Sequence, residues 1–236
     1  MERYCRQAPM IGGEGQKKLL ASTVAIVGCG GLGSVCGELL ARAGVGSLIL
    51  IDNDVVDITN LQRQALYNDS DIGKSKALCL KDHLESVNSD VKVSAHELRL
   101  DDDNVSEILK ADVVLDCTDR VDSRRLINRF CVKNGIPWVH GAAVQSKGEV
   151  MNVLPGGPCF ECIFPNISQA PSCAEVGILN STPHVVASLQ VVETIKLLLG
   201  ESPERDLLRL DVYNYFIDRI KIKRNPSCSV CGGENV

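Results

Sequence analysis

The chain has 236 residues, with 25 Lys and Arg against 30 Asp and Glu for a formal charge of −5, and 44% of it is hydrophobic. That composition excludes a disordered chain, offers no basic surface for general nucleic-acid binding, and leaves ample length for a sizeable core. No apolar run approaches the ~18 residues of a membrane span, and the opening Met1–Met10 lacks a signal-peptide apolar core, so the expectation is a cytoplasmic protein without membrane or nucleic-acid partners.

Thr23–Val27 (TVAIV) is a short apolar run that ends in the glycine cluster Gly28-Cys-Gly-Gly-Leu-Gly33. A helical pattern follows from Leu32 to Ala43, closed by Gly44, and Ser47–Ile51 (SLILI) reads as a second buried strand ending at Asp52-Asn-Asp54. Strand, glycine turn, helix and strand in this order form a βαβ unit, and continuous apolar strands imply a parallel sheet covered on both faces. The alternation continues. Lys74–Val87 has helical spacing, Val91–Ala95 and Asp112–Asp116 read as strands, Asp122–Asn134 as a helix and Ile136–His140 as a strand. The predicted fold is therefore α/β and doubly wound, Rossmann-like, with its ligands beyond the carboxyl ends of the strands.

Residues 155–183 are rich in Pro, Gly, Ser and Asn and read as a weakly structured crossover, a kind of segment that is usually functional. His184–Leu199 is an apolar helix ended by Gly200, Leu207–Tyr213 and Tyr215–Ile222 look like paired antiparallel strands, and the chain closes on Cys228-Ser-Val-Cys231. The expectation is one domain over 1–236, with residues 207–236 as a small C-terminal addition.

Gly28-x-Gly30-x-x-Gly33 fits the dinucleotide fingerprint, in which glycines let backbone N–H groups approach phosphate at the positive end of a helix. Asp52 lies 19 residues beyond Gly33, where an acid can accept from ribose hydroxyls. That pattern does not choose between NAD and ATP. Asn60, Arg63 and Lys76 follow Asp52 and Asp54 closely, and Asp119 ends a later strand; acids, cations and an amide in one crevice suit a triphosphate with magnesium better than a nicotinamide ring.

The chain has 11 cysteines, an odd count, with several inside apolar runs, which argues for a reduced protein with metal or catalytic cysteines. Cys159-x-x-Cys162 and Cys228-x-x-Cys231 stand 65 residues apart, and each pair supplies half a tetrahedral site. A closed, structural zinc site of four cysteines is the favoured reading; a redox pair or a disulfide clasp are the alternatives.

Arg6 in RYCRQ, the GCGGLG loop, Asp52-Asn-Asp54, Thr59-Asn-Leu-Gln-Arg63, Gly73-Lys-Ser-Lys76 and Cys117-Thr-Asp119 together resemble the MoeB/ThiF/HesA family. So do Gly141-Ala-Ala143, both Cys-x-x-Cys pairs and Ser172-Cys-Ala-Glu-Val-Gly177, and the match runs from about Tyr4 to Cys231. The resemblance implies an adenylyltransferase that uses ATP and Mg²⁺ to activate the C-terminal glycine of a ubiquitin-like sulfur carrier, for molybdopterin, thiamine or a related pathway. It implies Gly31 against the phosphates, Asp52 on the ribose, Asn60, Arg63 and Lys76 on phosphates, and Asp119 on magnesium. Arg6 would reach the γ-phosphate from the other subunit of a homodimer. Cys173 has two readings: a nucleophile that takes the acyl group as a thioester or resolves sulfur transfer from a donor protein, as the matching position does in some members, or a small incidental cysteine, since that position is dispensable in others. The carrier's Gly-Gly tail is placed along Leu207–Ile222 and a loop around 141–148.

Two departures from the family pattern stand out. Arg120 occupies the place of a usual Asn and faces a phosphate or solvent, and Asn180-Ser-Thr-Pro-His184 is unusually polar. The competing functions are an NAD-dependent oxidoreductase, which leaves Arg63 and Lys76 unexplained, and a catalytically inactive nucleotide-binding scaffold.

Overall fold

Five segments, all but one of them mainly apolar, become the parallel half of one sheet in the computed structural model, which describes residues 2–168 and 173–232. They are β1 (Thr23–Val27), β2 (Ser47–Ile51), β3 (Lys92–His96), β4 (Val113–Asp116) and β5 (Trp138–Val144). Three further strands, β6 (Lys147–Val153), β7 (Leu207–Asp211) and β8 (Phe216–Ile220), extend the sheet antiparallel in the order β3-β2-β1-β4-β5-β6-β7-β8. The C-terminal strands thus belong to the same sheet as the glycine-loop unit.

Alternate residues of β1 feed two cores. Val24 and Ile26 join a cluster with α2 (Gly33–Ala43), α3 (Lys76–Val87) and α8 (Ser181–Leu199). Ala25 and Val27 join the opposite cluster, with α4 (Val105–Ile108), α5 (Val121–Asn134) and α6 (Phe160–Ile163). Burial on both faces is why these strands are continuously apolar rather than alternating. Helix α2 stops at Gly44, whose φ of 84° is a left-handed cap that a side chain would strain; a Cβ there would also press into Tyr4.

Helix α1 (Ala8–Ala21) has no counterpart in the expected elements. Gly12, Gly13 and Gly15 hide it, and Gly12 breaks it with φ 75° and ψ 161°. Tertiary contacts hold it instead. Leu19 and Gln16 are fully buried, and Gln16 Nε2 donates to Ala43 O at 2.9 Å.

The segment 155–183 is less irregular than its composition implies, since α6, α7 (Cys173–Val176) and the first turn of α8 fall within it. The expected loop around 141–148 is a hairpin: Gly141 pairs with Val150 and Val144 with Lys147 across β5 and β6. Gly141 and Gly148 are small because α8 lies on them. A Cβ at either would come within 2.3 Å of Gln190 or Val186, so α8 fills the close approach expected for a carrier tail.

Candidate active site

Strand order reverses between β1 and β4, and a crevice of about 470 Å³ opens at their carboxyl ends. Gly28, Gly30, Gly31, Asp52, Asp54, Asn60, Arg63, Lys76, Asp119 and Arg120 all line it, so residues from five sequence segments converge as expected. Gly33 sits behind the loop instead. A Cβ on it would lie 1.7 Å from Gly28 O, so its role is to let the helix pack against the turn.

The loop presents donors. Among the described residues no acceptor takes the N–H groups of Gly30, Gly31 and Leu32, and α2 starts with neither a side-chain cap nor an acid in its first turn. Such an end attracts an anion. Asp52 holds the loop from below: Oδ2 accepts from Cys29 N at 2.6 Å and Oδ1 from Asp54 N at 2.8 Å. Burial raises its carboxyl above the ordinary value, with these donors pulling the other way.

Lys76 opens α3, where the helix dipole disfavours a cation. It is 6% exposed, with Nζ 3.1 Å from Asp54 Oδ2, so a nearly buried ammonium faces the crevice beside that carboxylate. Arg63 is steadied by its own turn, donating to Thr59 O at 2.9 Å. Pro183 from the polar Asn180–His184 stretch lies against Gly31 and lines the crevice, while His184 Nδ1 stays 2.8 Å from Asn180 O. Arg120 faces the crevice from the start of α5.

Several residues here give no sequence signal. Tyr67 Oη lies 2.7 Å from Cys29 O and 3.2 Å from Lys76 O, tying the glycine loop to α3. Arg99, Ser123 and Arg124 also line the crevice. His140 is placed by the sequence near the crevice at a strand end; it lies inside β5, 1% exposed, with Nδ1 2.8 Å from Asp116 Oδ2. Arg6 is exposed and outside the crevice lining. Cys173 begins α7, and its side chain lies outside the described residues.

The second feature is the cysteine quartet. The four Sγ atoms of Cys159, Cys162, Cys228 and Cys231 all lie within 4.8 Å of one another. Their separations include 3.9 Å (159–162), 3.6 Å (159–228) and 3.3 Å (162–231). A tetrahedral zinc with bonds of about 2.3 Å sets sulfurs about 3.8 Å apart, so the quartet fits that ion. Burial raises the Cys159 and Cys162 thiols, whereas at Cys228 burial is outweighed by the N–H groups of Cys231 and Val230, which bring the thiol down to about 7. Asn225 N donates to Cys162 Sγ at 3.3 Å, and Asn128 Oδ1 accepts from Phe160 N at 3.1 Å, fastening the first knuckle to α5. Chelation is expected to free residues 222–232 first: proteolysis there should quicken at least about fivefold while the crevice still binds nucleotide. Unchanged cleavage of metal-stripped protein would contradict this.

The fold and the two centres define a Rossmann-like nucleotide-binding enzyme carrying a four-cysteine cluster suited to zinc. The chain belongs to the ThiF family, whose profile matches residues 4–230. The SAMP-activating enzyme E1 of Haloferax volcanii is 40% identical over 240 residues, covering 98% of this chain and 89% of that one. The sulfur carrier protein adenylyltransferase of Thermus thermophilus is 39% identical over 248 residues, covering 99% and 92%. A crystal structure of E. coli MccB with ATP superposes with a TM-score of 0.84 at 27% identity, covering 98% of this chain and 75% of that one. These relatives support the adenylyltransferase reading of the glycine loop over the nicotinamide one. No helix among the described residues is long and apolar enough to cross a membrane.

Proposed function

We propose that the protein is an ATP-dependent adenylyltransferase that activates the C-terminal glycine carboxylate of a ubiquitin-like sulfur-carrier protein as an acyl-adenylate. The observation that carries this reading is the convergence of Gly30, Gly31, Asp52, Asn60, Arg63, Lys76 and Asp119 on one crevice. Two curated relatives of this length are named for activating SAMP or a sulfur carrier protein, which points to the same substrate class here.

The chemistry asks for little proton handling. A carboxylate is already ionised at neutral pH, so its oxygen attacks the α-phosphorus directly. The bond from that phosphorus to the bridging oxygen breaks, and its electron pair leaves with pyrophosphate. The barrier comes from bringing an anion to a polyanion, and fixed cations lower it most where charge develops. Lys76 and Arg63 supply those cations, the loop N–H groups hold phosphate oxygens, and Asp52 accepts from the ribose. Asp119 would hold Mg²⁺, its carboxylate being the hard oxygen donor such an ion takes. The ion, when bound, neutralises triphosphate charge. Zinc in the cysteine quartet, with every thiolate committed, has a structural role.

Arg6 would act from the second subunit of a homodimer, since it is exposed and does not line its own crevice. Met10, Val55 and Ile58, near the Arg6 and Asn60–Arg63 segments in sequence, are exposed apolar side chains that a second copy would cover. Mixing Arg6→Ala with Lys76→Ala protein is expected to restore up to about a quarter of wild-type turnover, since about half of random dimers are mixed and each of these has one intact site of two. No recovery, or full activity of Arg6→Ala alone, would remove the role. The carrier would dock on the sheet edge: β8 carries exposed Phe216 and Ile217, and Tyr213 and Tyr215 at its turn are 74% and 96% exposed. ATP–pyrophosphate exchange in the presence of the carrier tests the whole reading.

A further inference from the structure

Beneath the crevice lies a charged group that phosphate contact does not account for. Asp116 at the end of β4 is fully buried, His140 of β5 is 1% exposed and Arg124 of α5 is 6% exposed. Buried charge is destabilising unless each lone pair is met, and an apolar trio of equal volume would fill the space with less desolvation. Among the described residues Arg124 Nε has only the ion pair with Asp116, and the side-chain hydrogen bonds that Asp116 and Arg124 make outside the group converge on one target.

Asp116 Oδ2 lies 2.8 Å from His140 Nδ1 and 3.5 Å from Arg124 Nε. Its Oδ1 accepts from Thr118 N at 3.0 Å and from Thr118 Oγ1 at 2.7 Å. Burial would push the Asp116 carboxyl up, but the His140 hydrogen bond and the Arg124 charge outweigh it and hold the group below the ordinary range. Arg124 Nη2 donates to Thr118 O at 2.7 Å, so the same pair of charged side chains grips Thr118 by its N–H, its hydroxyl and its carbonyl. Rigid elements hold the grip in turn. Gln190 of α8 donates to Asp116 O at 2.9 Å, and the His140 ring packs against the adjoining rings of Phe160 and Phe164 at 5.4 and 6.1 Å. With the amide and carbonyl of Thr118 both held, the plane of the peptide leading into Asp119 is fixed, and with it the point at which Asp119 enters the crevice lining.

We infer that Asp116, His140 and Arg124 form a positioning triad that orients the Thr118–Asp119 turn for the divalent cation of the nucleotide complex before ATP arrives. The inference rests on the reading of Asp119 as the residue that holds that ion. Asp116 and His140 do not line the crevice and act only through the turn. Such support from behind a site is what keeps a ligating group within the small tolerance that binding demands.

Mn²⁺ titration followed by electron paramagnetic resonance tests it, on the full chain with α,β-methylene ATP, against Asp116→Asn, His140→Leu, His140→Gln and Asp119→Asn. Metal-free nucleotide affinity is measured in parallel. Asp116→Asn and His140→Leu are each expected to weaken Mn²⁺ binding about tenfold with metal-free affinity held within about twofold, and His140→Gln, which keeps a donor, should recover most of the loss. His140→Leu sits among aromatic rings and stays informative if Asp116→Asn does not fold. Normal Mn²⁺ affinity in the folded variants, or an equal loss with and without metal, overturns the triad's role. Normal affinity in Asp119→Asn overturns the reading beneath it.

Discussion

Replacing Gly33 with alanine is expected to abolish nucleotide binding and to lower stability by roughly 4 kcal/mol or more, in the range reserved for severe core clashes. The new Cβ would fall 1.7 Å from the carbonyl oxygen of Gly28 and 3.1 Å from Ile26. Neither can yield. Gly28 stands at φ 93° with Cys117 O 2.7 Å from where its own Cβ would be, and its N–H is bound to Ile51 O at 2.8 Å. The glycine loop is therefore wedged between β1, β2 and β4, and relief requires unwinding the start of α2, which carries the phosphate donors. Thermal denaturation with and without ATP and Mg²⁺ checks this. The midpoint should fall and the nucleotide-dependent rise should vanish. Gly73→Ala is the contrast. It too has positive φ, but no atom lies within 4 Å of its would-be Cβ, so only local backbone strain is expected there.

Lys76→Ala is expected to lower the adenylation rate by about 10²–10³-fold, the effect of deleting one fixed donor at a developing charge. The loss should fall on kcat more than on KM for ATP, because the ammonium acts where charge grows in the transition state. Stability should change little. Its partner Asp54 has a side chain 62% exposed, so water takes over when the lysine goes. Arg at this position should not restore full rate, since Lys76 is 6% exposed and its site is shaped for a compact ammonium. Single-turnover kinetics separates the two constants. An unchanged kcat would place the triphosphate elsewhere.

The parts of the fold legible in the sequence share one property: local pattern and tertiary use agree. Thr23–Val27 and Ser47–Ile51 are continuously apolar because both faces are covered, and Gly28, Gly44 and Gly200 punctuate where the backbone turns left-handed. The crevice residues are legible because their types announce charge chemistry and the doubly wound topology gathers strand ends. Helix α1 is hidden because Gly12, Gly13 and Gly15 contradict helix propensity, and long-range contacts through Gln16 and Leu19 decide the matter. The burial and mutual pairing of Asp116, His140 and Arg124 are hidden for a related reason. Each is ordinarily a surface residue, and only pairing across three elements makes their burial tolerable. In the sequence Gly141 reads as room for a ligand tail; the fold gives that room to Gln190.

The central claim is that this crevice joins AMP to a carrier's terminal carboxylate, and ATP–pyrophosphate exchange tests it most directly. Purified protein with Mg²⁺ should exchange labelled pyrophosphate into ATP only when a Gly-Gly-ended ubiquitin-like carrier is present, and lose the exchange when the terminal glycine is removed. Exchange without any carrier, or its absence with every such carrier despite tight ATP binding, would contradict the account.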